Sequence, residues 1–291
     1  MQARIVAANP LAGVRAGSAL LRIGARLLAV QDDAYCACWI DLPGLRVTPF
    51  ALDGDGAALP KALKPDFESA VRTGDGRIFL LGSGSTPNRM VIARLSLPGA
   101  SVALSHRPQI YECVRRALEL AEAPNIEGAV IEGDVLRLFH RGIATASATI
   151  DLPLGVLEGE APRALAWDWI QPGELDGVAL SITDAATVGR HGTLLLAVAE
   201  DTADAVADGP VAGCAVGVLA RPADRPPVRW CRVLDPNGEP SRRKLEGLAV
   251  DEDLRGAWVI TDPDDPHRHA ELCRIELRGF VVEDGAARGV R

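Results

Sequence analysis

The sequence predicts an all-β chain, a five-bladed β-propeller with four-stranded blades around a central channel. A short phrase, a polar residue inside an apolar run and usually followed by Gly, occurs five times in the 291 residues. Each copy precedes further short apolar runs separated by turn signals such as Asp-Gly, which favour hairpins. The copies lie 49 to 70 residues apart, a spacing that indicates a repeat architecture. We therefore expect one domain over residues 1–291.

The polar residues of the five copies are expected to occupy one equivalent position in the fold. Counted along the chain, they are Ser18, Glu68, Glu127, Asp176 and Glu246. In a propeller the first strand of each blade lines the channel. These five side chains should therefore converge near one end of the channel.

The apolar runs after each phrase predict the strands in order. In the first two copies they are Ser18–Ile23, Arg26–Val30, Tyr35–Leu42, Phe67–Val71, Arg77–Leu81 and Arg89–Leu97. In the last three they are Ile126–Ile131, Val135–Phe139, Ala144–Leu152, Leu175–Ile182, Thr193–Ala199, Val211–Ala220, Leu245–Val250, Ala257–Ile260 and Glu271–Leu277. Bounded runs of this length are typical of strands.

A fourth strand is expected between successive copies. The candidates are Leu45–Leu52, Ser101–His106, Arg163–Ile170 and Val228–Leu234. For the last copy the candidates are Phe280–Glu283 and the N-terminal run Ala3–Ala8. We predict Ala3–Ala8, because its pairing with the last blade would close the ring.

One segment departs from the strand pattern. Over Pro108–Glu122 the apolar residues recur at helical spacing, including Ile110, Val114 and Leu118. We predict one short amphipathic helix, packed on the outside or bottom of the ring as a structural insertion.

Composition excludes several classes of partner. The net charge of −8 and pI near 5.2 argue against nucleic-acid binding, which needs a basic face. No apolar run is long enough to span a membrane, and the N-terminus lacks the apolar core of a secretory signal. The six cysteines contain no Cys-x-x-Cys pair, so we expect free, buried thiols in a cytoplasmic protein. The oligomeric state is not indicated.

Four carboxylates that converge on one axis repel each other unless a positive charge lies among them. A divalent cation with oxygen ligands meets this need, and we expect Ca²⁺, with another divalent cation as an option. Zinc is disfavoured because no Cys or His occupies these positions. The alternative is a ring of carboxylates with raised pKa values that holds ordered water.

The order Ser18, Glu68, Glu127, Asp176, Glu246, one residue per repeat, resembles the calcium-activated nucleotidases (apyrases). In that five-bladed family, Ser and Glu side chains of the inner strands surround one Ca²⁺. The resemblance implies the same role for Ser18, Glu68, Glu127 and Glu246. Asp176 departs from it, because the family is expected to have Ser there. The short Glu-Gly strand openings also resemble the phytase-like esterase propellers.

Basic residues of the loops at the same end form the expected substrate rim: Lys64, Arg89, Arg141 and Lys244. One hypothesis is a metal-dependent hydrolase of phosphate or carboxylic esters, whose small anionic substrate these residues would bind. The other is a non-catalytic propeller that binds a ligand or protein and holds a structural ion or water. No catalytic residue is assigned, and Asp33, Asp262 and His140 are the candidates for an acid or base.

Overall fold

The computed structural model describes residues 1–96, 101–142, 146–188, 192–202, 209–219, 228–265 and 267–280. Within these ranges the chain contains 21 strands, two short 3₁₀ helices (Pro87–Arg89 and Leu154–Glu158) and one α-helix. The predicted all-β class with a single short helical insertion is therefore confirmed. None of the described helices has the length and apolarity to cross a membrane.

The strands follow the predicted order closely. The N-terminal strand is β1 (Gln2–Pro10). The next twelve are β2 (Gly17–Ile23), β3 (Arg26–Gln31), β4 (Cys36–Asp41), β5 (Arg46–Ala51), β6 (Phe67–Arg72), β7 (Ile78–Gly82), β8 (Val91–Ser96), β9 (Ser101–His106), β10 (Ile126–Glu132), β11 (Val135–His140), β12 (Ser147–Pro153) and β13 (Ala166–Ile170). The last eight are β14 (Glu174–Leu175), β15 (Val178–Thr187), β16 (Thr193–Glu200), β17 (Val211–Leu219), β18 (Val228–Leu234), β19 (Leu245–Val250), β20 (Gly256–Thr261) and β21 (Glu271–Arg278).

These strands form four-strand antiparallel units. Three units are separate sheets, with strand orders β2-β3-β4-β5, β6-β7-β8-β9 and β10-β11-β12-β13. The strands β15-β16-β17-β18 and β19-β20-β21-β1 belong to a single nine-stranded sheet, because β1 pairs in parallel with β18 and β14 adds to β15. The described chain thus has four sheets, and the count of five blades stays a prediction.

The N-terminal strand joins the end of the chain, as predicted. β1 pairs antiparallel with β21, placing Ile5 opposite Ile275, and pairs in parallel with β18, placing Ala3 opposite Val233. Both Ala3 and Ile5 are buried. The alternative fourth strand over 280–283 falls outside the described residues except for Phe280.

The first strand of each unit lies on the inside of the molecule. β2 contacts β6, β6 contacts β10, β10 contacts β15, β15 contacts β19, and β19 contacts β2. We call these five strands the inner ring. Core side chains fill the space between neighbouring units, for example Leu28 and Leu80 between the first two. Each sheet therefore buries both faces against its neighbours, which a lone sheet cannot do.

Glycine in the repeated phrase allows neighbouring inner strands to approach closely. A Cβ atom on Gly247 would lie 2.8 Å from the backbone carbon of Ala19, and one on Gly128 would lie 3.0 Å from the backbone nitrogen of Ala185. Real Cβ atoms essentially never come closer than 3.0 Å to such atoms, and a distance of 3.0–3.4 Å is tighter than nine in ten real Cβ contacts. The Gly of the Glu-Gly dipeptide is thus a packing requirement between strands β19 and β2, and it avoids a tight contact between β10 and β15.

Gly247→Ala is expected to lower the free energy of unfolding by about 1–3 kcal/mol, because an overpacked methyl group forces the two strands apart. The measurement is urea denaturation. Gly74→Ala is the matched control, since a Cβ atom there meets nothing within 4 Å. Equal stability of the two variants would contradict the packing role of Gly247.

The helix α1 (Pro108–Ala117) is shorter than predicted, because Glu119 takes a positive φ of 54° soon after the helix ends. Ile110, Tyr111 and Val114 are buried against the second and third units. The Tyr111 hydroxyl donates to the Gly82 carbonyl, 2.7 Å away, at the end of β7. The helix therefore packs against the end of the sheet that carries Glu68. This contact disagrees with the predicted position at the bottom of the ring, and the alternative position on the outside stays a prediction.

All six cysteines are free thiols, as predicted; four of them are buried and two are half-buried. Burial raises the pKa of Cys38 and of Cys214 to about 12. These thiols therefore stay protonated and act as small apolar core residues.

Candidate functional site

Each inner strand has a register irregularity at one residue. The shifts bracket Ser18, Glu68, Glu127, Thr183 and Glu246. Such a bulge places two residues of one strand opposite one residue of its partner, and it turns a side chain away from the regular alternation. Four of the five residues are those that the repeated phrase predicts.

The prediction that Asp176 lies on an inner strand is wrong. Asp176 and Gly177 form the turn between β14 and β15, and the φ of Asp176 is 53°. Its side chain is 55% exposed and pairs with Arg232 at 2.9 Å. The equivalent position is Thr183, which is fully buried. Asp-Gly is a common turn signal. Here it has the same residue pattern as the polar-Gly phrase, which explains the wrong prediction.

The two hydroxyl residues of the inner ring connect adjacent strands. The Ser18 hydroxyl donates to the Phe67 carbonyl at 2.5 Å, and the Thr183 hydroxyl donates to the Leu245 carbonyl at 2.7 Å. Each acceptor immediately precedes a glutamate of the next inner strand. Serine and threonine therefore hold the backbone beside Glu68 and Glu246 in place.

A cavity of about 310 Å³ opens where the inner strands begin, and we call it the mouth. Its described charged lining comprises nine carboxylate and six basic residues, a formal charge of −3 when all are ionised. The acidic ones are Asp32, Asp33, Asp66, Glu68, Glu127, Glu246, Asp262, Asp264 and Asp265. The basic ones are Arg15, Lys61, Lys64, Arg89, Arg141 and Lys244. Ser18 also lines the mouth, whereas Thr183 does not.

The densest acidic group of the mouth is Asp32, Asp66 and Glu68. One carboxylate oxygen from each lies within 4.8 Å of the others, and all three residues are buried. The sequence predicted Glu68 as a cation ligand but indicated neither aspartate as one. The available signal was their position, since Asp32 directly follows β3 and Asp66 directly precedes β6.

Basic residues surround Asp66. Lys64 Nζ lies 2.9 Å from Asp66 Oδ1 and also binds Asp32, and Arg89 Nη1 donates to Asp66 Oδ2 at 2.9 Å. The Ser83 hydroxyl donates to the same carboxylate. Asp66 itself has a φ of 54°, a strained conformation that the surrounding contacts must hold. Lys64 and Arg89 therefore line the mouth, where both form ion pairs with Asp66.

Glu127 lies in a second network on the other side of the mouth. Its Oε1 accepts from Asn125 Nδ2 at 2.6 Å and lies 3.5 Å from Arg141 Nη1. Arg141 Nη2 in turn donates to Glu200 at 2.8 Å. Burial disfavours the charge on Arg141, but Glu127 and Glu246 outweigh it and raise its pKa. Arg141 therefore remains charged.

Glu246 differs from the other acidic residues of the mouth. It is 5% exposed, and neither carboxylate oxygen has a hydrogen-bond partner among the described residues. Lys244 Nζ is 3.7 Å away from Glu246 but binds both oxygens of Asp264 at 2.9 Å. A buried carboxylate without a hydrogen-bond donor is costly, so Glu246 depends on the Lys244 ammonium group at 3.7 Å, on a proton or on a bound cation.

Several of the acidic side chains of the mouth have raised pKa values. Burial, followed by repulsion from Glu127, raises the pKa of Glu68 well above its usual range, and burial does the same for Glu246. Burial also raises the pKa of Asp32 to about 6 and that of Asp262 to about 7. The mouth therefore holds more carboxyl groups than its basic residues neutralise.

Sequence reasoning also missed Asp184, which follows Thr183 on β15. Its two carboxylate oxygens accept from the backbone amides of Ala185 and Leu248, both at 2.7 Å. Because those amides belong to adjacent inner strands, Asp184 links the fourth and fifth units. Its burial, both backbone bonds and absence from the mouth lining indicate a structural role.

Three residues were predicted as candidate acids or bases. Asp33 pairs with Arg15 at 2.9 Å. His140 is buried and its Nδ1 contacts the backbone of Asn125 at 3.1 Å, and burial lowers its pKa. The salt bridge engages Asp33, and the lowered pKa of His140 disfavours its protonated form. Asp262 lines the mouth with a pKa near neutrality, so it is the best suited of the three.

A larger cavity of about 1030 Å³ lies at the other end of the inner strands. Its walls are mostly aliphatic, including Ala70, Ala129 and Leu248. Its Asp251 pairs with Arg22 and Arg274. Convergent side chains with strongly raised pKa values lie at the mouth, which is therefore the better candidate active site.

Comparison with known proteins identifies a family match over most of the chain. The family described as "Family of unknown function (DUF6929)" matches residues 13–277. No curated protein sequence matches the chain.

Solved structures show the likeness of the fold. A putative glycosidase from Bacteroides thetaiotaomicron has a TM-score of 0.53 and 12% identity, covering 90% of this chain and 86% of its own. Myxococcus xanthus glutaminyl cyclase has a TM-score of 0.51 and 10% identity over 94% and 97%. A luciferin-regenerating enzyme has a TM-score of 0.50 and 10% identity over 96% and 98%. At these identities the likeness shows a propeller-like all-β fold and nothing about substrates.

Proposed function

The chain belongs to DUF6929, a family of unknown function, and from its own residues we propose a single-domain, five-bladed β-propeller with a cation-dependent ester hydrolase site at the mouth. The closed contacts of the inner ring and the four-strand units support five blades. The observation that carries the function is the group Asp32, Asp66 and Glu68, with carboxylate oxygens within 4.8 Å, in a cavity with excess acidic residues.

The donors of the mouth fit a hard divalent cation. Asp32, Asp66 and Glu68 supply only carboxylate oxygens, which Ca²⁺ prefers. One oxygen of Asp32 and both of Glu246 have no hydrogen-bond partner among the described residues, so they have free lone pairs. We propose Asp32, Asp66 and Glu68 as the principal ligands, with Glu246, Glu127 and Ser18 as further oxygen donors. Asp176 is not part of the proposed ligand set, because its side chain lies in an exposed turn and pairs with Arg232.

A bound divalent cation would polarise an ester oxygen and favour ionisation of a nearby water. The chain's own residues then have distinct roles. Asp262, with a pKa of about 7, exchanges a proton near neutral pH and is our choice for general acid or base. Arg141 and Lys244 stay charged and neutralise the carboxylates on the far side of the mouth.

A specific observation favours a second function. All four basic residues predicted to bind substrate already contact carboxylates of the mouth: Lys64, Arg89, Arg141 and Lys244. An anion would have to displace these contacts. A non-catalytic propeller, in which a cation stabilises the inner ring, would use the same pairs without any rearrangement.

The two functions are separated by a substrate screen. Aryl carboxylic esters, aryl phosphates and nucleoside di- and triphosphates are tested with Ca²⁺ and with chelator. The enzyme hypothesis predicts cation-dependent turnover that falls by about 10²-fold or more in Asp262→Asn, the loss typical of a general acid or base. Asp253→Asn, an exposed residue at the opposite end of the inner strands, is the control.

Turnover that persists in Asp262→Asn would remove Asp262 from the mechanism. No turnover on any substrate class, with cation bound, would favour the binding function.

A further inference from the structure

A second cavity adjoins the mouth beside the fifth unit, and we call it the side pocket. It has a volume of about 390 Å³. Lys244, Asp262 and Asp264 line both cavities, so the mouth and the side pocket share part of their walls. A molecule bound at the mouth could therefore extend into the side pocket.

The side pocket has the opposite charge balance from the mouth. Its described lining includes four Arg and Lys residues and three acidic ones. Arg243 pairs with Asp235 at 2.5 Å and with Glu271 at 2.9 Å, and Lys244 pairs with Asp264 at 2.9 Å. Two of the three acidic residues of the pocket, Asp264 and Glu271, are therefore already in ion pairs.

Arg242 and Arg268 are the remaining cations of the side pocket. Neither forms a salt bridge with a carboxylate among the residues that the structure describes, and both are exposed. Arg242 does influence one carboxyl group, that of Asp176, whose pKa is lowered mainly by Arg232 and also by Arg242. Arg243, beside Arg242, is fixed at both ends of its guanidinium, and the Arg268 amide donates to the Asp265 carbonyl at 3.0 Å. The chain segments that carry the two arginines are thus held, while their guanidinium groups stay available.

We propose that the side pocket binds an anionic substituent of the substrate through Arg242 and Arg268. Guanidinium groups form strong charge-assisted hydrogen bonds with carboxylate and phosphate. This inference rests on the proposed hydrolase function. It specifies the substrate as an ester that reacts at the mouth and carries a separate carboxylate or phosphate group. In this proposal Arg242 and Arg268 bind the anion, in place of the predicted rim residues Lys64, Arg89, Arg141 and Lys244.

The first test uses inorganic phosphate and chelator-treated protein, so it does not depend on catalysis or on a bound cation. Binding is followed by isothermal titration. We expect the double variant Arg242→Gln/Arg268→Gln to weaken phosphate binding by about tenfold or more, as loss of charge-assisted bonds predicts. Arg46→Gln is the matched control, because Arg46 lies at the opposite end of its sheet and is exposed.

Phosphate binding that survives in the double variant, or that falls equally in Arg46→Gln, would overturn the proposal. So would the absence of phosphate binding to the wild-type chain at tens of millimolar.

A second test compares two aryl esters that differ only in a terminal carboxylate. The double variant should raise KM for the charged ester and leave the neutral ester unchanged. An equal rise for both esters would contradict the anion site. If neither ester reacts, the proposed hydrolase function fails, and the phosphate titration still decides on the side pocket.

Discussion

Deletion of residues 1–10 is expected to prevent the chain from reaching its native fold. The deletion removes β1, which pairs with both β21 and β18 and thereby joins the last two units. It leaves two unpaired strand edges and exposes the contact surfaces of Ala3 and Ile5 in the largest core cluster. Near-ultraviolet circular dichroism and urea denaturation measure the loss of packing and of the cooperative transition.

A matched pair of single substitutions distinguishes the effect of lost side-chain packing from the effect of removing the whole strand. Ile5→Ala should lower the free energy of unfolding by about 2–5 kcal/mol, the usual cost of a buried Ile-to-Ala change. Val6→Ala on the same strand should have little effect, because Val6 is 50% exposed. A synthetic peptide of residues 1–10 should restore folding in trans by adding a strand. A deletion variant with the full cooperative transition would show that β1 does not close the fold.

Calcium is expected to raise the unfolding temperature of the wild-type chain and to leave that of Glu68→Gln unchanged. A ligand that binds only the native state stabilises it by about 2.7 kcal/mol at a hundred times its Kd. Glu68 belongs to the closest carboxylate group, and its substitution removes one anionic ligand. The measurements are thermal unfolding and isothermal titration with CaCl₂, after chelator treatment.

Asp176→Asn is the informative control for this experiment. The repeated phrase predicted Asp176 as a ligand equal to Glu68, whereas the structure places it in an exposed turn. Calcium should therefore stabilise Asp176→Asn as much as wild type. Equal loss of the calcium effect in both variants would restore the sequence-based ligand set, and no calcium effect in wild type would contradict the cation site.

The pH dependence of calcium binding has a definite sign. Burial raises the pKa of Glu68 and that of Asp32, the latter to about 6. Protons therefore compete with the cation, and calcium affinity should increase between pH 5 and pH 8. Without calcium the sign is reversed: groups with raised folded-state pKa values stabilise the fold at low pH, and this contribution is lost as pH rises.

Local signals in the sequence determined much of this fold. Period-two apolar runs and turn residues located most strands, including Ser101–His106 and Val228–Leu234 with their observed bounds. The Glu-Gly phrase marked the inner strands β10 and β19, where a residue without a Cβ atom follows the bulged carboxylate at a close strand contact. These features depend on a few neighbouring residues, so a single sequence displays them.

Tertiary structure decided the rest. In the fourth copy, Asp176-Gly177 and Thr183-Asp184 both interrupt an apolar run, and only strand pairing shows which interruption enters the inner ring. Asp32 and Asp66 lie 34 residues apart and approach each other because β3 and β6 begin or end at the same mouth. Likewise, the charge of Lys64, Arg89, Arg141 or Lys244 is visible in the sequence, but its carboxylate partner is not. Such pairings depend on contacts between distant parts of the chain, and local residue patterns do not indicate them.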